Sequence, residues 1–358
     1  MDATVGALAA LLNGEVLGDA ELPIRKVDSL DNADAVTLSF MGGSTKLRAL
    51  DACQAGAILV GSGRIDELTP ELRERFTFLV VEDALDAFLV ILQRERPPRP
   101  RPNIGVSPQA IVAESATIGE RTNIHPGATI GEDVVIGCDC EILPGVVIGD
   151  GCRIGDHSTL HPRVVLYPDV ELCERVILHA GVVVGADGYG YRLRDGRFEK
   201  IPQLGSVRIE NDVEIGANAT IDRGMIGPTV IGEGTKLDNL IMVAHNCQIG
   251  KHNVFASQVG LAGSTSTGDY VRIGGQTGIA DHLRIGSNVA LAASSAIHKD
   301  VPDGETWAGY PARPVEESFR ILMAQGKLPE MRTRLRDLEK QVKRLTAELK
   351  RTSDSEAA

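Results

Sequence analysis

The sequence predicts a mainly β chain, a left-handed parallel β-helix of about ten rungs with an N-terminal α/β domain and C-terminal helices, working as a homotrimer. Three observations carry this. An aliphatic residue recurs at every sixth position from Val106 to Val184, fourteen times without exception. The same period returns at Ile209, Ile215 and Ile221, and again from Ile231 to Ile297, where Thr267 breaks it. Finally, hydrophobic residues make up 43% of the 358-residue chain but aromatics only 4%. A core of Val, Ile, Leu and Ala with few rings suits a thin repetitive prism better than a layered globule.

A period of six fits neither a helix, which repeats at 3.6, nor an ordinary strand, which repeats at 2. It fits three short strands per turn, with one hexapeptide on each face of a triangular prism. The aliphatic points inward. The residue two before it is small or β-branched, as in Ala116, Thr122, Ala128 and Val134, and fits the crowded corner. Gly, Asp or Asn is expected at the turn. Eighteen residues complete a rung, which rises by roughly one strand spacing, ~4.8 Å. The repeat is interrupted by the insertion ADGYGYRLRDGRFEKIPQLGSV, and it slips by four residues around Met225–Pro228. Prisms of this kind stack rung on rung and usually trimerise through their flat faces, with active sites in the grooves between subunits.

The flanks lack the period. Residues 1–98 read as a small α/β domain, with a helix-like start at Val5–Leu12, strands at Ala55–Val60 and Phe76–Glu82, and a helix through ALDAFLVILQR. Residues 99–105 continue a Pro-rich stretch and form the linker, and 106–314 is the β-helix. Residues 315–351 form two helices, Val315–Gln325 and Pro329–Arg351. In the second, Met331, Leu335, Leu338, Val342, Leu345 and Leu349 step by 4, 3, 4, 3 and 4, an a/d seam suited to a coiled coil on a shared axis. Residues 352–358 are expected to be a disordered tail. Residues 315–351 hold ten Lys/Arg against six Asp/Glu, a local +4 suited to an acidic partner.

The net charge of −12 argues against a nucleic-acid binder, which needs a broad basic face. The six cysteines form no C-x-x-C pair or zinc-finger spacing and read as buried free thiols in a reducing compartment. The N-terminus lacks the basic segment of a signal peptide. No apolar run approaches the ~18–20 residues of a membrane span. A soluble, cytoplasmic protein is expected.

No Ser nucleophile elbow, P-loop or dinucleotide fingerprint is present, so the chemistry to test on this prism is acyl transfer by general base catalysis. Of the eight histidines, His125, His161, His179 and His298 each follow a repeat aliphatic and read as surface residues. His245 lies two after Val243, with Asp238 close upstream. Gly263 is one rung beyond His245. His282 is two rungs and one residue beyond it, roughly 9–10 Å away on nearly the same face. A base, an unobstructed backbone N–H and a second polar group thus line one face, as attack of an amine on a thioester requires. The histidine trio of zinc-binding prisms does not occur, since Ser stands at position 287. No metal is expected.

These segments resemble the UDP-3-O-acylglucosamine N-acyltransferases, through KIPQLGSVRIENDVEIG, IGANATIDRG, LDNLIMVAHNCQIG and GGQTGIADHLRIG. The resemblance covers about Val106 to Pro314 and, more weakly, both flanks. It implies transfer of a 3-hydroxyacyl chain from acyl carrier protein to the 2-amine of a UDP-3-O-acylglucosamine in lipid A synthesis. No resident cofactor is implied, because the 4'-phosphopantetheine arrives on the carrier. The setting is the cytoplasm of a Gram-negative bacterium, with the enzyme peripheral at the inner membrane. His245 matches the family's base and His282 its second active-site histidine, with Asp238 to orient His245. Phe40, in LSFMGGSTKLRAL, matches the uracil-stacking aromatic, although Gly43 and Lys46 stand where Asn and Tyr are usual. Three other readings remain: the sister O-acyltransferase acting on UDP-N-acetylglucosamine, a nucleotide-sugar N-acetyltransferase using acetyl-CoA, and a non-catalytic β-helical scaffold.

Overall fold

The computed structural model describes residues 1–97, 101–309 and 314–356, with side chains through residue 347. The chain divides into two compact units, Met1–Arg101 and Pro102–Ala358, so the boundary falls within the Pro-rich segment.

In the first unit a five-stranded sheet runs in the order Glu15–Leu17, Thr77–Val81, Ala57–Gly61, Thr37–Met41, Lys26–Val27. Only the first pair is antiparallel. Side chains alternate along each strand, as the pleat requires. Leu38, Leu59 and Leu79 pack with helices α1 (Val5–Leu12) and α3 (Ala84–Glu95), while Met41, Ile58, Val60 and Phe78 build a second cluster on the opposite face. Helix α2 (Pro70–Arg75) is capped by the Thr69 hydroxyl and α3 by the Asp83 carboxylate.

The second unit is a parallel β-helix. Three parallel sheets of ten, ten and nine two- to five-residue strands form its faces, and each strand pairs with the one a rung away. Where no insertion intervenes the register steps by eighteen: Ile130 pairs with Ile148, Ile148 with Leu166, Val243 with Leu261 and Leu261 with Ile279. The repeat aliphatics from Ile124 to Ile297 form one continuous core, joined by the small residues two before them, including Ala128, Cys140 and Val146. Val106, at the open end, stays exposed. Cys152 and Cys247 are buried among these residues, and burial pushes both thiols up to about 11.

From Arg121 onward most corners carry a residue in the left-handed region, and the sequence expectation of Gly, Asp or Asn there is too narrow. Arg121, His157, Gln258, Tyr270 and Gln276 take the same positive φ, between 57° and 64°. The cost of that conformation for a side-chain-bearing residue is offset by inter-rung hydrogen bonds. The His157 N–H donates to Cys138 O at 2.9 Å, and the Gln276 N–H to Ser257 O at 3.0 Å.

Thr267, the break in the repeat, has a polar partner inside the prism. Asn253 is fully buried; its Nδ2 donates to Thr267 Oγ1 at 2.9 Å and its Oδ1 accepts from the Val271 N–H at 2.6 Å. The two polar residues satisfy each other, as burial demands.

The insertion leaves the prism as a hairpin of Tyr191–Arg194 and Arg197–Lys200 and rejoins it at Val207–Ile209. After the last rung come α4 (Val315–Gln325) and α5 (Leu328–Glu356). Helix α5 runs through most of the segment expected to be a disordered tail. No Gly or Pro follows Pro329, so nothing local ends the helix. Met331, Leu335, Leu338, Val342 and Leu345 lie exposed along it, while the Leu349 side chain and residues 310–313 lie outside the described set.

Candidate active site

Parallel pairing places the candidate residues. Strand Met242–Val243 pairs with Gly260–Leu261, and that strand pairs with Gly278–Ile279. Residues the same number of steps past these strands stack on one another, so Gly263 lies against His245 on the adjoining rung. The Ser264 N–H donates to His245 O at 2.9 Å and the His282 N–H to Gly263 O at 3.0 Å, locking the three turns in series. His245, Gly263 and His282 line one groove of about 780 Å³, together with Leu261, Ile279, Ala280 and Tyr189. Asp281, two full rungs from His245, lines it as well.

The His245 ring is held between two glycines. A Cβ at Gly263 would lie 2.5 Å from Nε2, and a Cβ at Gly188 would lie 2.5 Å from the His245 Cβ and 2.9 Å from Cδ2. Only glycine leaves space for the ring at either position. Gly263 was expected for its N–H. Gly188 belongs to the insertion, and its role is visible only once that segment folds back onto the prism. On its other side, Nδ1 lies 3.2 Å from Asn246 Oδ1.

Within the protomer Asp238 does not orient His245. It follows strand Lys236–Leu237, which belongs to a different sheet from Met242–Val243. One hexapeptide separates the two strands, and each hexapeptide turns the chain onto the next face. The exposed Asp238 carboxylate accepts from the Asn239 N–H at 2.7 Å and the Ser257 N–H at 3.1 Å, a turn-forming role. A buried carboxylate on the same sheet is Asp222, in strand Thr220–Arg223. Ile221 pairs with Val243, which sets Asp222 level with Ala244. Burial pushes the Asp222 carboxyl up to about 6; His245 pulls it down and Asp187 raises it.

A second groove, of about 970 Å³, lies on the sheet that carries Asp238. Its lining combines Leu237, Phe255 and Ile273 with Asp238, His161 and His179. Two histidines expected as ordinary surface residues are neighbours. One rung apart on one face, their rings stack at 4.9 Å, and His179 Nε2 meets Glu214 Oε1 at 2.9 Å. Burial, then the neighbouring His179, lowers the His161 pKa.

Comparison with known proteins agrees with this architecture. The model described as "Bacterial transferase hexapeptide (six repeats)" matches residues 127–161, 151–186 and 228–263, and "Hexapeptide repeat of succinyl-transferase" matches 206–239. The UDP-3-O-acylglucosamine N-acyltransferase of Methylacidiphilum infernorum (isolate V4) is 48% identical over 337 residues, covering 94% of each chain. This chain belongs to the UDP-3-O-acylglucosamine N-acyltransferase family. With the family member from Methylobacterium sp. (strain 4-46) the match is 46% identical over 148 residues. It spans 41% of this chain and 42% of that relative's length. A solved Arabidopsis UDP-N-acetylglucosamine acyltransferase superposes with a TM-score of 0.52 at 26% identity, covering 57% of this chain and 71% of that one. No helix among the described residues is long and apolar enough to cross a membrane.

In the first unit Phe40 is half-buried, and its ring stacks on Phe88 at 4.5 Å. If Phe40 also stacks on a uracil, Phe40→Ala raises KM for the UDP-sugar by one to two decades and largely spares kcat. One aromatic–base stack contributes ~1–3 kcal/mol, remote from the reacting amine. Steady-state kinetics paired with a melting curve checks this. An unchanged KM with a lowered Tm would assign Phe40 to packing against Phe88 alone.

Proposed function

We propose that the protein transfers a 3-hydroxyacyl chain from acyl carrier protein to the 2-amine of UDP-3-O-(3-hydroxyacyl)-glucosamine, with His245 as general base. The observation that carries the reading is the placement of His245. Its ring is fixed between Gly188 and Gly263, with Nε2 at the Gly263 backbone, over a groove walled by Leu261, Ile279 and Ala280. The neutral amine attacks the thioester carbonyl while His245 Nε2 takes the N–H proton. The developing oxyanion is met by the Gly263 N–H and by His282. Collapse expels the thiolate of the carrier's 4'-phosphopantetheine, which takes the proton back from the imidazolium. No covalent enzyme intermediate and no resident cofactor enter. His, with a reference pKa near ~6.5, is a suitable acceptor at neutral pH.

The working unit in this reading is a homotrimer. The two grooves lie on different faces of one prism, and the apolar seam of α5 is exposed along its length. Three prisms around a shared parallel axis would turn one protomer's His245 face toward the next protomer's Asp238 face. Asp238 and His245 follow consecutive strands, so they stand near one height, and Asp238 could reach the histidine only from the neighbouring copy. The carrier's acidic surface would meet the basic α4–α5 segment. Such an enzyme would work in the cytoplasm, at the inner face of the membrane that receives its product.

The test is a donor and acceptor panel with light scattering on the same sample. The expected result is a trimer that forms an amide from carrier-bound 3-hydroxyacyl chains and UDP-3-O-acylglucosamine. A monomer at micromolar concentration would contradict the trimer. Turnover with acetyl-CoA instead would favour the nucleotide-sugar N-acetyltransferase, and no turnover with any donor the scaffold.

A further inference from the structure

We infer that Asn246 is a positioning residue, fixed by the Met225–Pro228 slip, that sets the tautomer of His245 so that Nε2 is the free base. The inference rests on the reading of His245 as the base.

The slip puts four extra residues into the repeat. Their main chain accepts from the Leu204 N–H at Met225 O and from Gln248 Nε2 at Pro228 O, and it also serves Asn246. The Met225 N–H donates to Asn246 Oδ1 at 2.9 Å, and Asn246 Nδ2 donates to Ile226 O at 2.9 Å. The Asn246 N–H donates to Thr229 Oγ1 at 2.8 Å. An N–H can only donate and a carbonyl can only accept, so the side-chain amide cannot be turned over without losing both contacts. Its oxygen therefore faces His245.

Nδ1 of His245 meets that oxygen at 3.2 Å. An amide oxygen is an acceptor, so Nδ1 must carry the hydrogen. In the neutral ring the lone pair is then on Nε2, and Nε2 is the atom at Gly263 in the groove. The same arrangement fixes the ring's rotation, because the Nδ1 edge is tied to a loop and Gly188 and Gly263 lie close against the side chain. Asp222, buried on the same sheet, does not supply this hydrogen bond, since Asn246 occupies Nδ1. Asn also suits the backbone here: at φ 60° it takes a conformation that Asn tolerates better than most residues.

Asn246→Gly is the clean variant, because glycine keeps φ 60° without strain and removes only the amide. Asn246→Asp is the conservative partner, as it keeps an oxygen for Nδ1. The measurement is the pair of ¹⁵N ring shifts of His245 in histidine-labelled full-length protein, assigned by the signal lost in His245→Ala. Wild type is expected to show a protonated Nδ1 and a bare Nε2 at neutral pH. Asn246→Gly is expected to show a mixture of tautomers, with kcat down ten- to a hundredfold, KM for UDP-sugar near wild type and an unchanged trimer. Asn246→Asp should restore the wild-type ring pattern and most of the rate. A bare Nδ1 in wild type, or an unaltered ring pattern in Asn246→Gly, overturns the inference. If the ring pattern behaves as expected but His245→Ala keeps its activity, the tautomer assignment stands and the base reading fails.

Discussion

His245→Ala is expected to lower kcat by ~10²–10⁴-fold, the usual worth of a general base, while UDP-sugar binding stays near wild type. The base interacts with the substrate only as the N–H proton leaves. The loss therefore belongs to the transition state and appears in kcat. His282→Ala is expected to be milder, since in the proposed mechanism the Gly263 N–H also meets the oxyanion. Both variants are to be compared at saturating carrier-bound substrate between pH 6 and 9. If His245→Ala retains more than about a tenth of the rate, or recovers fully at high pH, solvent can take the proton and the base assignment is wrong.

Gly263→Ala is expected to be nearly as damaging, for a steric reason. The new methyl would sit 2.5 Å from His245 Nε2 and 2.6 Å from Cε1. The Gly263 backbone is pinned, since its carbonyl accepts from the His282 N–H, so the ring must give way. His245 lines the groove and is not part of the packed core, so the ring can shift without unfolding the prism. A displacement of about 1 Å at a reacting atom can cost ~10²-fold, and kcat is expected to fall by about that much. Gly260→Ala is the control. Gly260 lines the same groove, but a Cβ there meets nothing within 4 Å. A similar loss in both variants would mean that the groove, and not the ring position, had been disturbed.

The prism was legible because its rule is local. Each hexapeptide repeats the same burial problem, so Ile130, Ile148 and Leu166 could be placed inside from the sequence alone. The polar exception was not legible. Thr267 is tolerated because Asn253, two strands earlier, fills the space beside it, and a repeat pattern shows only which position deviates. Around the site, the stacking of Gly263 under His245 follows from eighteen-residue arithmetic. Asp238 shows that nearness in sequence is not nearness on one face of a protomer. One hexapeptide carries the chain around a corner, so a residue seven positions away is on another face. Asp222 is farther in sequence yet on the same sheet, level with Ala244, because the four-residue slip shifts the count. Gly188 and Tyr189 reach the groove from an insertion whose return path no period predicts. Asn246 stood in plain view within the AHN segment, but its role depends on main-chain groups of Met225 and Ile226.

A structure of the protein with UDP-3-O-acylglucosamine bound tests the account most directly. The account predicts the glucosamine 2-amine in the groove between His245 and His282, with its nitrogen roughly 2.6–3.2 Å from His245 Nε2, the reach of a general base. An amine seated in the Asp238 groove of the same protomer, or turned away from Nε2 with the sugar fully bound, would contradict it.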